Sequence, residues 1–238
     1  MENPLAPQVR PKRLEFLDGL RGLAALAVFL AHFGVFFFTW DKASGFDPYR
    51  ALAAVKDQLL NGAFAVYVFF ALSGFVIAQS AASGRRALPS RLLARYLRLT
   101  IPMTVSLIWG WCLLVLFAKT RLQMDHSALR DLYRAYFLVQ APSFLEPLKA
   151  GFYGAYLHGT SALNPVVWTM RVELLGSCAV YVFYRFCPET WRVRGLCLVV
   201  LLNTLAGGHA YLGFSLGALI REAWIGHHLR DNPLSGWR

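Results

Sequence analysis

The chain has 238 residues, of which 57% are hydrophobic, 15% aromatic and only 16% charged. That composition excludes an ordinary soluble domain and points to a multi-pass membrane protein, a single unit whose core is partly replaced by lipid. Its formal net charge is +11. The basic residues lie between apolar runs, so membrane topology and anionic headgroups account for them and no nucleic-acid partner is expected.

Residues 1–13 are polar, with Pro4, Pro7 and Pro11 beside Arg10, Lys12 and Arg13, and read as a cytoplasmic tail. The first predicted span, 16–40, is long enough to cross the ~30 Å hydrocarbon core and is not a signal peptide, having no small-x-small cleavage site. It carries Asp18, Arg21 and His32. Arg21 and His32 are eleven residues apart, which places them within ~20° of one helix face and ~16 Å apart along the axis. The loop after it balances Lys42, Arg50 and Lys56 against Asp41, Asp47 and Asp57, as suits the non-cytoplasmic side.

Span 2 covers about 62–82, with Ser73 and Gly74 in its middle. The following loop, 84–98, holds Arg85, Arg86, Arg91, Arg95 and Arg98 and no acid, the strongest cytoplasmic signal in the chain. Span 3 is expected over 99–118, with Pro102 in its first turn. A long outer segment, 119–164, contains an amphipathic stretch at 127–140 that fits an interfacial helix. Span 4 opens at Asn164-Pro165, an N-cap followed by proline at the first helical position, and ends near Phe186. Arg185, Arg192 and Arg194 return the next loop to the cytoplasmic side. Two short apolar runs, 195–205 and 210–220, flank Gly207-Gly208-His209 and read as a tight hairpin of short helices. The polar tail Arg221 to Arg238 follows on the cytoplasmic side, and the membrane unit is bounded at 14–225 with 226–238 as the C-terminal tail. The fold class is thus all-α, a transmembrane bundle of about six spans with both termini cytoplasmic. The four cysteines (Cys112, Cys178, Cys187, Cys197) lack metal-ligand spacing, and no metal is expected.

Ionisable groups inside spans are costly and mark candidate functional sites. His32 is either a general base, its neutral form favoured by desolvation, or a hydrogen-bonding contact to a neighbouring helix. Arg21 either binds an anion or snorkels to the interface and pairs with Asp18. Arg91, Arg95 and Arg98, spaced four and three, share a face if helical; they could bind phosphate groups or touch lipid headgroups. Glu173 has Thr169 four residues earlier and is open between a structural and a catalytic role, and Trp168 suits an interfacial belt. His126 and Asp131 have the H-x4-D spacing of glycerolipid acyltransferases, but no second motif of that family follows. His158 has no recognisable context, and His227 and His228 fall in the tail.

Four pieces occur in order: LDGLRGLAALAVFLAHF, FFALSGFVIA, RYLRLTIP and NPVVWTMRVEL. Together they resemble the integral-membrane acyltransferase family 3, with Arg21 and His32 matching its R-x10-H pair. The resemblance implies transfer of an acyl group, acetyl in the commonest case, from cytoplasmic acyl-CoA to a hydroxyl of a surface carbohydrate or similar acceptor. Acyl-CoA would be a co-substrate, with no bound cofactor. His32 would be the base. Arg21, Arg95 and Arg98, with Arg91 beside them, would hold the donor. Glu173 and Trp168 match the family's W-[ST]-x-x-x-E pattern and are carried as site residues. The family usually has about ten spans, which raises a partner-dependent or inactive fragment as one rival; a transporter lined by Arg21 and His32 is the other. The expected location is a bacterial inner membrane.

Overall fold

The structure is a computed structural model that describes residues 15–37, 61–84, 87–123, 140–161 and 163–225. Among these residues every regular element is helical. The main helices are α1 (Glu15–Phe37), α2 (Gly62–Ala82), α3 (Leu88–Leu116), α7 (Trp168–Phe186), α8 (Arg192–Leu205) and α9 (His209–Ile225). Shorter ones, α4 (Ala118–Gln123), α5 (Leu145–Lys149) and α6 (Ala155–His158), lie between α3 and α7, with a π-helical turn, Ala150–Gly154, joining α5 to α6. Three helices, Gly62–Ala82, Leu88–Leu116 and Pro165–Phe186 (α7 with its leading 3-10 turn), are long and apolar enough to cross a membrane. The 23 residues of α1 make a rod of about 34 Å. As expected, the last two helices are short, 14 and 17 residues.

Span 3 differs from expectation at its start. From Leu88 onward the arginine-rich stretch is itself helical: α3 begins there with a proline in its first turn. Pro102 is therefore interior, where it leaves the carbonyl of Arg98 without its usual donor, a defect that membrane helices tolerate when neighbours re-satisfy the backbone. Span 4 opens as its sequence indicates, since the Asn164 side chain accepts from the Val166 amide.

The segment before α7 is not a simple outer loop. Trp111 Nε1 donates to the Pro142 carbonyl at 2.7 Å, and Tyr96 Oη donates to the Phe152 carbonyl at 2.7 Å. The two α3 residues are fifteen positions apart, so the chain follows α3 for about 22 Å. Gly151 permits the approach, because a Cβ there would lie 2.2 Å from Thr104 Oγ1. Gly159, at φ +70°, then turns the chain back towards Leu163, whose carbonyl meets Gly110. The amphipathic stretch at 127–140 lies outside the described residues, except for Gln140.

The largest cluster of buried side chains joins α2 (Phe70, Ile77, Ala78), α7 (Val172, Val180, Tyr181, Tyr184), α8 (Leu196) and α9 (Phe214, Ala218). Lipid tails are as apolar as these side chains, so the helices gain from close van der Waals contact rather than from water release. Glycines supply that closeness. A Cβ on Gly217 would fall 1.9 Å from the Ala71 carbonyl oxygen, and one on Gly74 would fall 2.2 Å from the Phe214 carbonyl oxygen. Gly213 and Gly217 form a G-x3-G pair on α9 that lets α2 lie against it.

Candidate functional site

The antiparallel register of α1 and α2 decides which polar groups share a depth. Near one end Ala31 meets Gly62, whose added Cβ would be 2.9 Å from that of Ala31. Near the other, Leu17 packs with Leu72 and Phe75. Ser73 therefore lies level with the Arg21 end of α1, and His32 lies at the Gly62 end. Along the α1 seam Leu17 and Ala24 are buried, while Arg21 and His32 flank it and are half-buried.

His32 Nδ1 lies 2.8 Å from the carbonyl of Val28. A carbonyl only accepts, so this bond requires the proton on Nδ1, and in the neutral imidazole the lone pair is then on Nε2. Arg21 pairs with Asp18 at 3.8 Å, both side chains more than a third exposed. The pairing half of the expectation for Arg21 is present, and pairs this exposed hold side chains loosely.

A network of buried charges runs across α2, α3 and α7. Arg95 and Glu173 form an ion pair through Nη2 and Oε1, with only 13% of each side chain exposed. Ser73 Oγ donates to the same Oε1 at 2.5 Å. Arg95 Nε donates to Ser177 Oγ at 2.9 Å, and Ser177 in turn donates to the Glu173 carbonyl one turn earlier. An ion pair in so dry a setting persists only because further hydrogen bonds complete its valences. Thr169, one turn before Glu173 on the same helix, donates to the Val166 carbonyl.

The three arginines share a face of α3 but not a task. Arg91 donates to the Ala81 carbonyl at 2.9 Å and lies 5.9 Å from the Tyr181 ring centre, closing the end of α2 onto α7. Arg95 enters the bundle. Arg98 is exposed and pairs with no acid among the described residues. Trp168 meets Phe70 edge-on at 6.4 Å, and Phe70 stacks on Phe214 at 5.5 Å. Trp168 is 44% exposed. The structure thus brings Arg95 and Glu173 together, sets Arg21 at their depth, and leaves His32 about 16 Å further along α1.

Two features were not anticipated. Ser177 is fully buried, and its i+4 spacing from Glu173 was a legible signal. The other is a second polar cluster where α2, α7 and α9 end. Arg221 Nε donates to Gln79 Oε1 at 2.8 Å, Arg221 Nη1 pairs with Glu222 at 2.5 Å, and Tyr184 donates to the same carboxylate at 2.5 Å. The sequence places Arg221 in the polar tail, yet α9 continues to Ile225 and Arg221 is 7% exposed. Phe214, Ala218 and Arg221, spaced four and three, carried the helical period past the apolar run. His158 borders an open cavity of about 340 Å³ that Glu146, Lys149, Tyr153 and Ser161 also line. Among the described residues no cluster of three or more His, Cys, Asp or Glu could hold a metal.

An all-α membrane bundle with a buried Arg–Glu pair between helices, and an imidazole on its first helix whose Nδ1 is bonded to that helix's own backbone, defines a membrane protein with a polar interior site. The acyltransferase 3 family model, described as an acyltransferase domain, matches residues 14–230, and the chain belongs to that family. No match was found among curated proteins or solved structures.

Proposed function

We propose that the protein is an acyl-CoA-dependent O-acyltransferase that moves an acyl group, acetyl in the simplest case, from cytoplasmic acyl-CoA to a hydroxyl of a surface carbohydrate or similar acceptor. The observation that carries the proposal is the bond from His32 Nδ1 to the Val28 carbonyl, because it leaves Nε2 free to accept a proton. In the transfer, Nε2 takes the acceptor's hydroxyl proton as its oxygen attacks the thioester carbonyl. The tetrahedral intermediate collapses, the C–S bond breaks, and the imidazolium returns the proton to the departing thiolate. An ester and free CoA result.

Arg21 and Arg95 are assigned to the donor's entry, with Arg91 one turn nearer the start of α3 and Arg98 about one turn further along it, and Trp168 is assigned to acceptor contact. The distance from Arg21 to His32, about 16 Å along the helix, suits a pantetheine arm reaching the imidazole while the nucleotide stays at the arginine end. Both termini are assigned to the cytoplasm of a bacterial inner membrane, on the strength of the acid-free arginine run at 85–98. The test is transfer of label from radiolabelled acetyl-CoA to a cell-envelope extract by the purified protein. His32→Ala should lower transfer by at least ~100-fold while acetyl-CoA binding persists. Transfer at the wild-type rate in His32→Ala would refute the base assignment.

A further inference from the structure

We infer that Ser177, Ser73 and Glu173 are positioning residues for Arg95, fixing one edge of its guanidinium so that the other edge contacts the acyl donor; this rests on the acyl-donor proposal above. The geometry is a fork held from both sides. Nε is bound to Ser177 and Nη2 to Glu173, while Nη1 has no partner among the described residues. Guanidinium carries five N–H groups in a rigid plane, so holding two of them sets the direction of the rest.

Each holder is itself held. The Ser177 hydroxyl spends its proton on the Glu173 carbonyl, which orients its lone pairs to receive Nε. Ser73, only 8% exposed, donates to Glu173 from α2, tying the carboxylate to a third helix. Glu173 Oε1 thus has two donors already and stands at the depth of Arg21, not of His32. It acts through Arg95 and not on the acceptor's proton. The three helices fix the guanidinium before the donor arrives, which lowers the ordering cost of binding.

The experiment is a double-mutant cycle on the full-length protein in lipid nanodiscs, reading acetyl-CoA Kd and the kcat of acyl transfer. Ser177→Ala should weaken acetyl-CoA binding ~10-fold, the loss expected for one hydrogen bond to a charged group, with kcat at saturating donor kept within about 2-fold. In an Arg95→Lys background, which has no Nε donor, Ser177→Ala should change Kd by less than about 2-fold. Ser73→Ala approaches the same pair from α2 and should also raise Kd with kcat preserved. Equal losses from Ser177→Ala in both backgrounds would mean a general packing role and would overturn the assignment, as would unchanged Kd in both serine variants. A wild-type protein that binds no acetyl-CoA would overturn the acyl-donor proposal and this assignment together, whereas wild-type binding without the coupling overturns this assignment alone.

Discussion

Replacing Glu173 by alanine removes the only acid that pairs with Arg95 among the described residues and leaves a guanidinium that is 13% exposed without a counter-charge. It also strands Ser73 Oγ, whose proton is donated to the same oxygen. Breaking a buried pair from one side costs about 3–5 kcal/mol, because the remaining charge stays desolvated. Removing both partners is different: Arg95→Met with Glu173→Leu takes away the charge as well as its partner, and such replacements are often near neutral. The expected order of stability is therefore wild type close to the double variant, with Glu173→Ala well below both. Thermal unfolding of the purified protein, followed by loss of the monodisperse peak in size-exclusion chromatography, measures this order. The double variant should also fail to bind acetyl-CoA despite its stability, since Arg95 is gone. The reasoning is refuted if Glu173→Ala unfolds with the wild type, or if the double variant is less stable than the single one.

Two further outcomes test the packing that carries the network. Gly217→Val puts a Cβ 1.9 Å from the Ala71 carbonyl oxygen, so α9 must separate from α2; overpacking of this kind costs about 1–3 kcal/mol or more, and the thermal midpoint should fall. A midpoint equal to wild type would show that α2 and α9 do not pack this closely. Arg221→Leu removes the counter-charge of Glu222 and the donor to Gln79 Oε1 in a buried cluster and should destabilise by about 3–5 kcal/mol, whereas a residue in a solvated tail would change stability by less than about 0.5 kcal/mol. The size of the fall separates the two placements of Arg221.

The segment between α3 and α7 shows why part of this architecture was hidden. Its helical stretch is short, and Gly151, Gly154 and Gly159 interrupt any periodic signal, so the sequence reads as an outer loop. What holds it against α3 is a set of contacts between distant residues, Tyr96 with Phe152 and Thr100 with Tyr156, and no local pattern encodes such pairings. Arg221 was hidden differently: hydropathy fell before the helix ended, and only the register of Phe214 and Ala218 continued to mark its buried face. Arg95 was expected in a cytoplasmic loop facing phosphate, whereas it stands on α3 and enters the bundle to pair with Glu173.

What the sequence alone determined is the membrane class, the all-α fold, the acyltransferase family motifs, the cap at Asn164, and the shared face of Arg21 and His32. Each rests on composition or on spacing within one helix, where a fixed rise and turn make geometry calculable. The tertiary structure decided which charges meet: Arg95 with Glu173 and two serines, Arg221 with Glu222 and Gln79, and Arg21 level with the first network while His32 stands apart. Those meetings depend on the register between antiparallel helices. Here that register is set by how far small residues such as Gly62, Gly74 and Gly217 let one backbone approach another, a property of the pair and of neither helix by itself.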